Sequence, residues 1–370
     1  MQPLISFSSI IQKSILLVSI TFPFLKINSQ PIAEKIKFGS FIDTYYAYDL
    51  EKPASQDRGY TTSAARSNTF NVNLLYIDAN LNSEKIRSRG AVQYGTSVTA
   101  NFLGESTKSN IANQFTVRNM QEGFVGFKLA PKLWVDAGIY FSHIGFGNFI
   151  SRDNWTYTRS MIADFSPYQQ AGVKLSYEFS PKINMQFHIV NGWGNLVETN
   201  NDKAVGGFLE YKFLKNLRFT YSNFVGNEQL KTNPYLIRYF NNLIVYFDLT
   251  DEFQFALATD VGHQKKANSD KAFHQWYGFA FLFRWKLTDQ IFTTFRVERF
   301  LDSRQVAIST STPNGFQVTG GSINLDYHFD PSLIIRGEAK ILKSLDAIFE
   351  TESGKTTVDR LMVVNLSLKI

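Results

Sequence analysis

The sequence predicts an all-β fold, a transmembrane antiparallel up-and-down β-barrel of about sixteen strands. Three observations predict it. Segments of roughly ten residues alternate apolar and polar side chains through most of the chain. Short Pro/Asn/Asp/Ser turns alternate with long polar loops. Aromatic residues make up 15% of the chain, with 34 Phe and 17 Tyr, more rings than a soluble core ordinarily needs.

The alternation is seen strand by strand. In AGVKLSYEF, Val173, Leu175, Tyr177 and Phe179 share one face, and Lys174, Ser176 and Glu178 the other. Ile183, Met185, Phe187 and Ile189 oppose Asn184, Gln186 and His188. Phe279, Phe281, Phe283 and Trp285 oppose Arg284 and Lys286. Ile323, Leu325, Tyr327 and Phe329 oppose Asn324, Asp326 and His328. Leu333, Ile335, Ala339 and Ile341 oppose Arg336, Glu338 and Lys340. A helix would scatter each of these sets around its circumference.

Short connections fall at Asn82-Lys85, Ala130-Lys132, Ser180-Lys182, Leu214-Asn216, Thr250-Glu252, Thr288-Gln290 and Asp330-Ser332. Longer polar stretches include Glu51 to Ser67, Gly104 to Asn119 and Thr351 to Thr356. Seven short turns and eight long loops join sixteen strands, with both termini on the side of the short, periplasmic turns. Alternation weakens over Asn68 to Ile86, which leaves fourteen or eighteen as the neighbouring even counts.

The N-terminus reads as an export signal. Lys13 precedes the apolar run Ser14 to Leu25, too short to span a bilayer as a helix. Residues 1–29 are the expected cleaved leader, with a cut after Ala33 as the alternative, and 30–370 the expected barrel. No plug domain is expected ahead of Ile36. The absence of cysteine excludes a disulfide scaffold, a Cys-based zinc site and a thiol nucleophile.

Function is read from the lumen face. A barrel of about sixteen strands leaves an aqueous channel, whereas about eight strands fill their own interior. The lumen faces carry Lys174, Lys212, Arg218, Arg284, Arg296, Arg336 and Lys340, together with Asp43, Asp136, Glu178, Glu210, Asp260, Glu298, Asp326 and Glu338. Ionised groups at membrane depth line water or pair with one another. The expected function is passive diffusion of small hydrophilic solutes or ions across the outer membrane. Its expected partners are membrane lipid, those solutes and a second copy of the chain.

The segment Gly145 to Tyr168 holds Arg152, Asp153, Arg159 and Asp164 among Trp155, Tyr157, Met161, Ile162 and Phe165. So apolar a loop packs against something. It is expected to fold into the barrel and narrow the pore, with Arg284, Arg296, Glu298, Arg336 and Glu338 of the lumen faces as further pore-lining or constriction residues. The bland reading is a capping loop packed outside, or one that contacts a neighbouring subunit, with the wall charges pairing across strands. Net charge is +6, a weak pointer to anion preference, and no basic run suggests nucleic acid.

Other chemistries find no motif. The five His residues, 143, 188, 263, 274 and 328, show no metal-ligand spacing, Gly145-Phe146-Gly147 precedes no helix, and there is no G-x-S-x-G elbow. No cofactor and no enzymatic activity are expected. Two rivals stand beside the channel: a surface adhesin or ligand-binding barrel without an open pore, and a rim hydrolase using Ser142-His143.

The stretch FGSFIDTYYAYD (Phe38 to Asp49), and above all Leu133 to Trp193 with LWVDAGIYFSHIGF, DNWTYTRSMIADFSPYQQAGVKLSY and IVNGW, resemble the β-barrel porin family with OmpL-like members. The resemblance implies a bacterial outer-membrane barrel with a channel role. The chain departs from the family at Gly147, where an acidic residue is expected after Ile144-Gly145-Phe146, and it ends on Ile370 rather than Phe or Trp.

Overall fold

A computed structural model of the chain describes residues 35–102, 118–230, 234–267 and 272–370. The leader expected over residues 1–29 lies outside them. In chain order the strands are β1 (Ile36–Asp49), β2 (Thr69–Asn82), β3 (Ile86–Tyr94), β4 (Met120–Ala130), β5 (Leu133–Phe141), β6 (Gln169–Ser180), β7 (Ile183–Val190), β8 (Ala204–Leu214) and β9 (Leu217–Asn227). They continue with β10 (Ile237–Asp248), β11 (Phe253–Lys265), β12 (Phe273–Lys286), β13 (Ile291–Asp302), β14 (Phe316–His328), β15 (Leu333–Ser344), the two-residue pair β16 (Phe349–Glu350) and β17 (Lys355–Thr356), and β18 (Val358–Lys369).

Sixteen of these close a barrel. Each hydrogen-bonds its chain neighbour, β15 pairs with β18, and β1 pairs with both β2 and β18. All pairings are antiparallel, and closure leaves no free sheet edge. β16 and β17 form a small hairpin within the last long loop. All seven short turns expected from sequence connect paired strands.

The weak alternation over Asn68 to Ile86 has a local cause. Asp43 pairs with Leu74 while Thr44 pairs with Val72, so Asn73 is an extra residue in β2. Asn73 and Leu74 therefore both point inward and are buried. The segment is one strand carrying a bulge.

The outer wall is apolar. Phe127, Tyr177, Phe179, Tyr211, Phe213, Trp285, Tyr327 and Phe329 ring the short-turn end, all exposed. Tyr48, Phe70, Tyr94, Tyr239 and Tyr277 are exposed toward the long-loop end, and Leu243, Leu257, Val297, Ile323, Leu325 and Val364 lie between. This is the layout of a hydrocarbon band between aromatic girdles. Arg296, Glu298, Asp326, Arg336, Glu338 and Lys340 of the strands turn inward and are buried, where they meet a second apolar body: the third long loop.

Candidate functional site: the third loop and the lumen wall

The loop of residues 142–168 begins where β5 ends. Gly145 and Gly147 adopt φ of +116° and +95° and turn the chain into the barrel. At Gly147 a β-carbon would lie 3.3 Å from Asn154 Oδ1 on a backbone that L side chains rarely adopt. That accounts for glycine where the family resemblance leads one to expect an acid. Just before the turn, His143 lies between Gln170 Oε1 and the Asn223 carbonyl, both at 2.9 Å, and stacks on His188 with ring centroids 4.0 Å apart. Gly206 makes room for this ring: a β-carbon there would meet His143 Nε2 at 2.4 Å.

Inside, the loop is fastened to β13, β14 and β15. Arg296 sits at the centre. Its Nη2 lies 3.0 Å from Glu338 Oε1 and its Nε 3.4 Å from Glu298 Oε1, with all three side chains fully buried. The same guanidinium donates to Thr158 O at 2.7 Å, Thr156 Oγ1 at 2.9 Å and Thr158 Oγ1 at 2.8 Å. Glu338 accepts from the Thr158 amide at 2.6 Å and hydroxyl at 2.8 Å. Glu298 accepts from the Met161 amide at 2.6 Å, and Lys340 Nζ lies 3.5 Å from Glu298 and 3.4 Å from the Arg159 carbonyl. Charges that would be costly alone are thus compensated by ion pairs and by loop backbone.

A second group holds the deeper part of the loop. Arg336, paired with Asp326 at 3.1 Å, donates to the carbonyls of Ser151, Arg152 and Asn154. Asn324 accepts from the Tyr157 amide at 3.1 Å. Asp43 of β1 accepts from Ser151 Oγ at 2.7 Å and from Tyr157 OH at 3.2 Å. Burial, with the Asp43 carboxylate alongside, pushes the Tyr157 hydroxyl well above its ordinary value. Arg152 donates to the carbonyls of Pro331 and Ser332 in the turn between β14 and β15, and Asp153 lies 3.9 Å from Lys369 near the end of β18. The loop therefore runs the depth of the barrel, from the end of β5 to a periplasmic turn.

Its upper part meets the first long loop. Asp164 accepts from Thr62 Oγ1 at 2.5 Å, and Arg159 donates to the same hydroxyl at 3.3 Å and to the Ala163 carbonyl. The one-turn helix Met161–Asp164 buries every residue. Ile144, Phe146, Met161 and Ile162 pack with Phe240, Ile244, Ala256, Ala258, Ala280, Leu282 and Phe300, which face inward from β10 to β13. The three alanines, none of them solvent-exposed, create the space that the loop fills.

What remains open lies against the other wall. A cavity of about 500 Å³ is bounded by the loop on one side and by Lys174, Gln186, Phe208, Tyr246 and Leu282 on the other. A second of about 370 Å³ shares Gln186 and Phe208 with it and reaches Arg87, Lys132, Glu178 and Glu210 toward the short-turn end.

Eight of the nine site residues expected from sequence divide into three groups in space. Arg296, Glu298, Arg336 and Glu338 come together beneath the loop, where they bond to it. Arg159 and Asp164 sit 4.0 Å apart between the loop and Thr62. Arg152 and Asp153 lie at its deep end. Arg284 stands apart: its guanidinium lies over Phe292 at 4.3 Å and Trp155 at 5.9 Å, and among the described residues it has no carboxylate within 4.0 Å. Sequence reasoning passed over Thr158, Asn324 and Thr62. It also passed over the inward apolar faces of β11 and β12, whose signal was present: FALATD and FAFLF are apolar on both faces, as a strand covered inside as well as outside must be. The Ser142-His143 pair forms no nucleophile and base: Ser142 Oγ accepts from the Ile144 amide at 3.0 Å, and both ring nitrogens of His143 are engaged elsewhere.

A closed antiparallel barrel of sixteen strands with an inward loop and an apolar outer wall is the architecture of an outer-membrane porin-type channel. The chain belongs to the family described as Putative beta-barrel porin-2, OmpL-like, which matches residues 35–369, and it is an outer-membrane protein. No curated protein matches the sequence. Among solved structures, the fold is similar to the outer membrane channel DcaP of Acinetobacter baumannii, with TM-score 0.58 and 11% identity over 90% of this chain and 97% of that one. It is similar to outer-membrane expressed OmpT of Vibrio cholerae, with TM-score 0.59 and 8% identity over 90% and 97%. It is also similar to the anion-selective porin from Comamonas acidovorans, with TM-score 0.58 and 10% identity over 90% and 99%.

Proposed function

We propose that the protein is a passive diffusion channel for small hydrophilic solutes or ions, with segment 145–168 as its constriction. The observation that carries this reading is the asymmetry of the lumen. The loop is fastened to β13–β15 and packs on the inner face of β10–β13, and the remaining space is lined chiefly by β3 to β8, with Tyr246 of β10 and Leu282 of β12 at its edge. Arg87, Lys132, Lys174, Glu178 and Glu210 line that path, and the Arg296 cluster meets it from the loop side. Planar-bilayer recording tests the reading directly. Discrete conductance steps are expected, and deletion of 154–165 is expected to enlarge them. Unchanged conductance in the deletion would remove the loop from the pore.

A weak anion preference is part of the proposal, supported by the net charge of +6 and by Arg284, a lumen cation with no paired carboxylate among the described residues. Reversal potentials in a salt gradient check it.

The depth to which the loop fills the barrel favours one second reading, a surface or ligand-binding barrel without an open pore. Wild-type protein that gives no conductance steps, next to a loop deletion that gives them, would select that reading. Self-association is a further part of the proposal; one structural neighbour is described as OmpT of Vibrio cholerae in a trimer form. Sedimentation in detergent measures it.

A further inference from the structure

On the outside of the barrel, one sector of the wall breaks the apolar pattern. Arg299 of β13, Lys343 of β15 and Arg360 of β18 point outward and are exposed, each near the long-loop end of its strand. The register groups them. Thr319 of β14 pairs with Arg299 on one side and with Lys343 on the other, which sets the two cations about 10 Å apart at a strand spacing of about 4.8 Å. Arg360 is a diagonal neighbour of Lys343, since Lys343 pairs with Val358 and Arg360 with Ile341. No acid shares the outward faces of these four strands. Arg360 is held by Glu51 of the first long loop at 2.7 Å. Arg299 and Lys343 have no ion pair among the described residues, and Asp346, the acid nearest Lys343 in the chain, is taken by Asn314. At the same end β8, β9 and β10 present Val205, Val225 and Tyr239, so the charge is not spread evenly round the rim.

Below these cations the wall is hollowed. Gly337 of β15 stands between Leu325 of β14 and Val364 of β18, and Ala339 between Ile323 and Met362. A β-carbon at Gly337 would meet nothing within 4 Å. The result is an apolar groove of about 740 Å³ that runs from Thr293 of β13 to Tyr46 of β1. A second, of about 820 Å³, shares Tyr46 and Val364 with it and continues onto β2. Lys343 stands above Ala339 on the same strand, about 13 Å along it at 3.3 Å per residue. Cations cost little on a lipid-facing wall near the interface, and clustered without acids they repel one another until an anion joins them. A groove at membrane depth faces acyl chains. Phosphate above and hydrocarbon below suit both halves of this surface.

We propose that the outer face of β13–β15 and β18 binds a phosphorylated lipid of the leaflet on the long-loop side, with its phosphates at Arg299, Lys343 and Arg360 and its acyl chains in the groove over Gly337 and Ala339. Diphosphoryl lipid A is the probe. Phosphatidylcholine is the lipid whose phosphate is neutralised within its own headgroup, and inorganic phosphate is the anion without chains. Native mass spectrometry of the protein in non-ionic detergent reads the binding. Lipid A is expected to bind at concentrations about tenfold or more below phosphatidylcholine. Arg299→Gln/Lys343→Gln is expected to weaken lipid A binding about tenfold. Gly337→Phe, which fills the groove and leaves the charge unchanged, is expected to weaken it several-fold. Arg304→Gln/Lys355→Gln removes the same charge from the long loops and is expected to change it by less than about twofold. Circular dichroism reports whether each variant is folded, and the Arg299/Lys343 double variant, which touches only exposed groups, carries the test should Gly337→Phe misfold. Equal binding of phosphatidylcholine, displacement by an equal concentration of inorganic phosphate, an equal loss in the loop control, or binding unaltered in the Arg299/Lys343 double variant would overturn the proposal. Should Gly337→Phe abolish self-association in sedimentation while lipid A binding stays whole, the groove belongs to a second copy of the chain and the proposal falls.

Discussion

Arg296 and Glu338 are joined at 3.0 Å inside the barrel with neither side chain exposed, and each also bonds Thr158 of the third loop. The pair is at once a strut of the wall and a clamp on the loop. Removing one partner leaves the other buried and uncompensated, at a cost of about 3–5 kcal/mol.

That clamp gives the first prediction. Glu338→Ala is expected to free the loop from β15, raising single-channel conductance and exposing Thr158 to solvent. Hydrogen exchange at residues 154–161 is expected to quicken by about a hundredfold or more, since each 1.4 kcal/mol is tenfold. Conductance and exchange unchanged from wild type would show that the clamp does not position the loop.

The deep end is held more lightly. Arg152 donates to the carbonyls of Pro331 and Ser332 and is partly exposed. Arg152→Ala removes charge-assisted bonds of about 1.5–3 kcal/mol at most. The expected result is noisier current at the same mean conductance, read from the power spectrum of the open channel. A large rise in mean conductance would mean that this contact, rather than the Arg296 cluster, seats the loop.

Among the described residues Arg284 has no ion pair to absorb a change of charge. Arg284→Glu is expected to shift the reversal potential toward cation selectivity more than Arg296→Gln does per unit charge, because the Arg296 field is already balanced by Glu298 and Glu338. Measurement in a tenfold salt gradient compares the two. An equal shift per charge would place both residues in the same electrostatic environment.

Glu228, in the loop after β9, supplies a pH dependence. Burial raises its carboxyl from the ordinary 4.5 to about 7, opposed by Arg238 and by the Trp193 amide that donates to it at 3.0 Å. Since the folded state holds this proton more tightly, the contribution to loop packing is whole below pH 4.5 and is lost as pH rises through 7. Protease susceptibility of the loop over 191–203 should rise between pH 5.5 and 8.5 in the wild type and stay flat in Glu228→Gln. A pH response retained in the glutamine variant would assign it to another group.

The outer wall is tested by charge. Val364 is 59% exposed in the middle of β18, and an arginine there faces hydrocarbon at a cost of about 2–4 kcal/mol if near the midplane. Val364→Arg should lower unfolding stability in vesicles by that amount, and Val364→Leu should not. Wild-type stability in the arginine variant would mean that this wall is covered by protein or water instead of lipid.

The amino-acid pattern alone determined the barrel. A period of two with apolar and charged sets separated fixes which side of every strand faces lipid, and the short Pro/Asn/Asp turns fix where each hairpin reverses. Both signals are local, and so they survive in the linear chain. The Asn73 bulge shows the limit: one extra inward residue blurred a strand that pairing with β1 makes plain. The apolar content of 145–168 was legible, but its fastening was not. Arg296 and Thr158 are 138 positions apart, and only barrel closure brings β13 and β15 round to the loop. Which charges are buried clamps and which are free to meet a solute is set by that long-range geometry, because an ion pair depends on distance and burial, neither of which a sequence spacing specifies across a closed sheet.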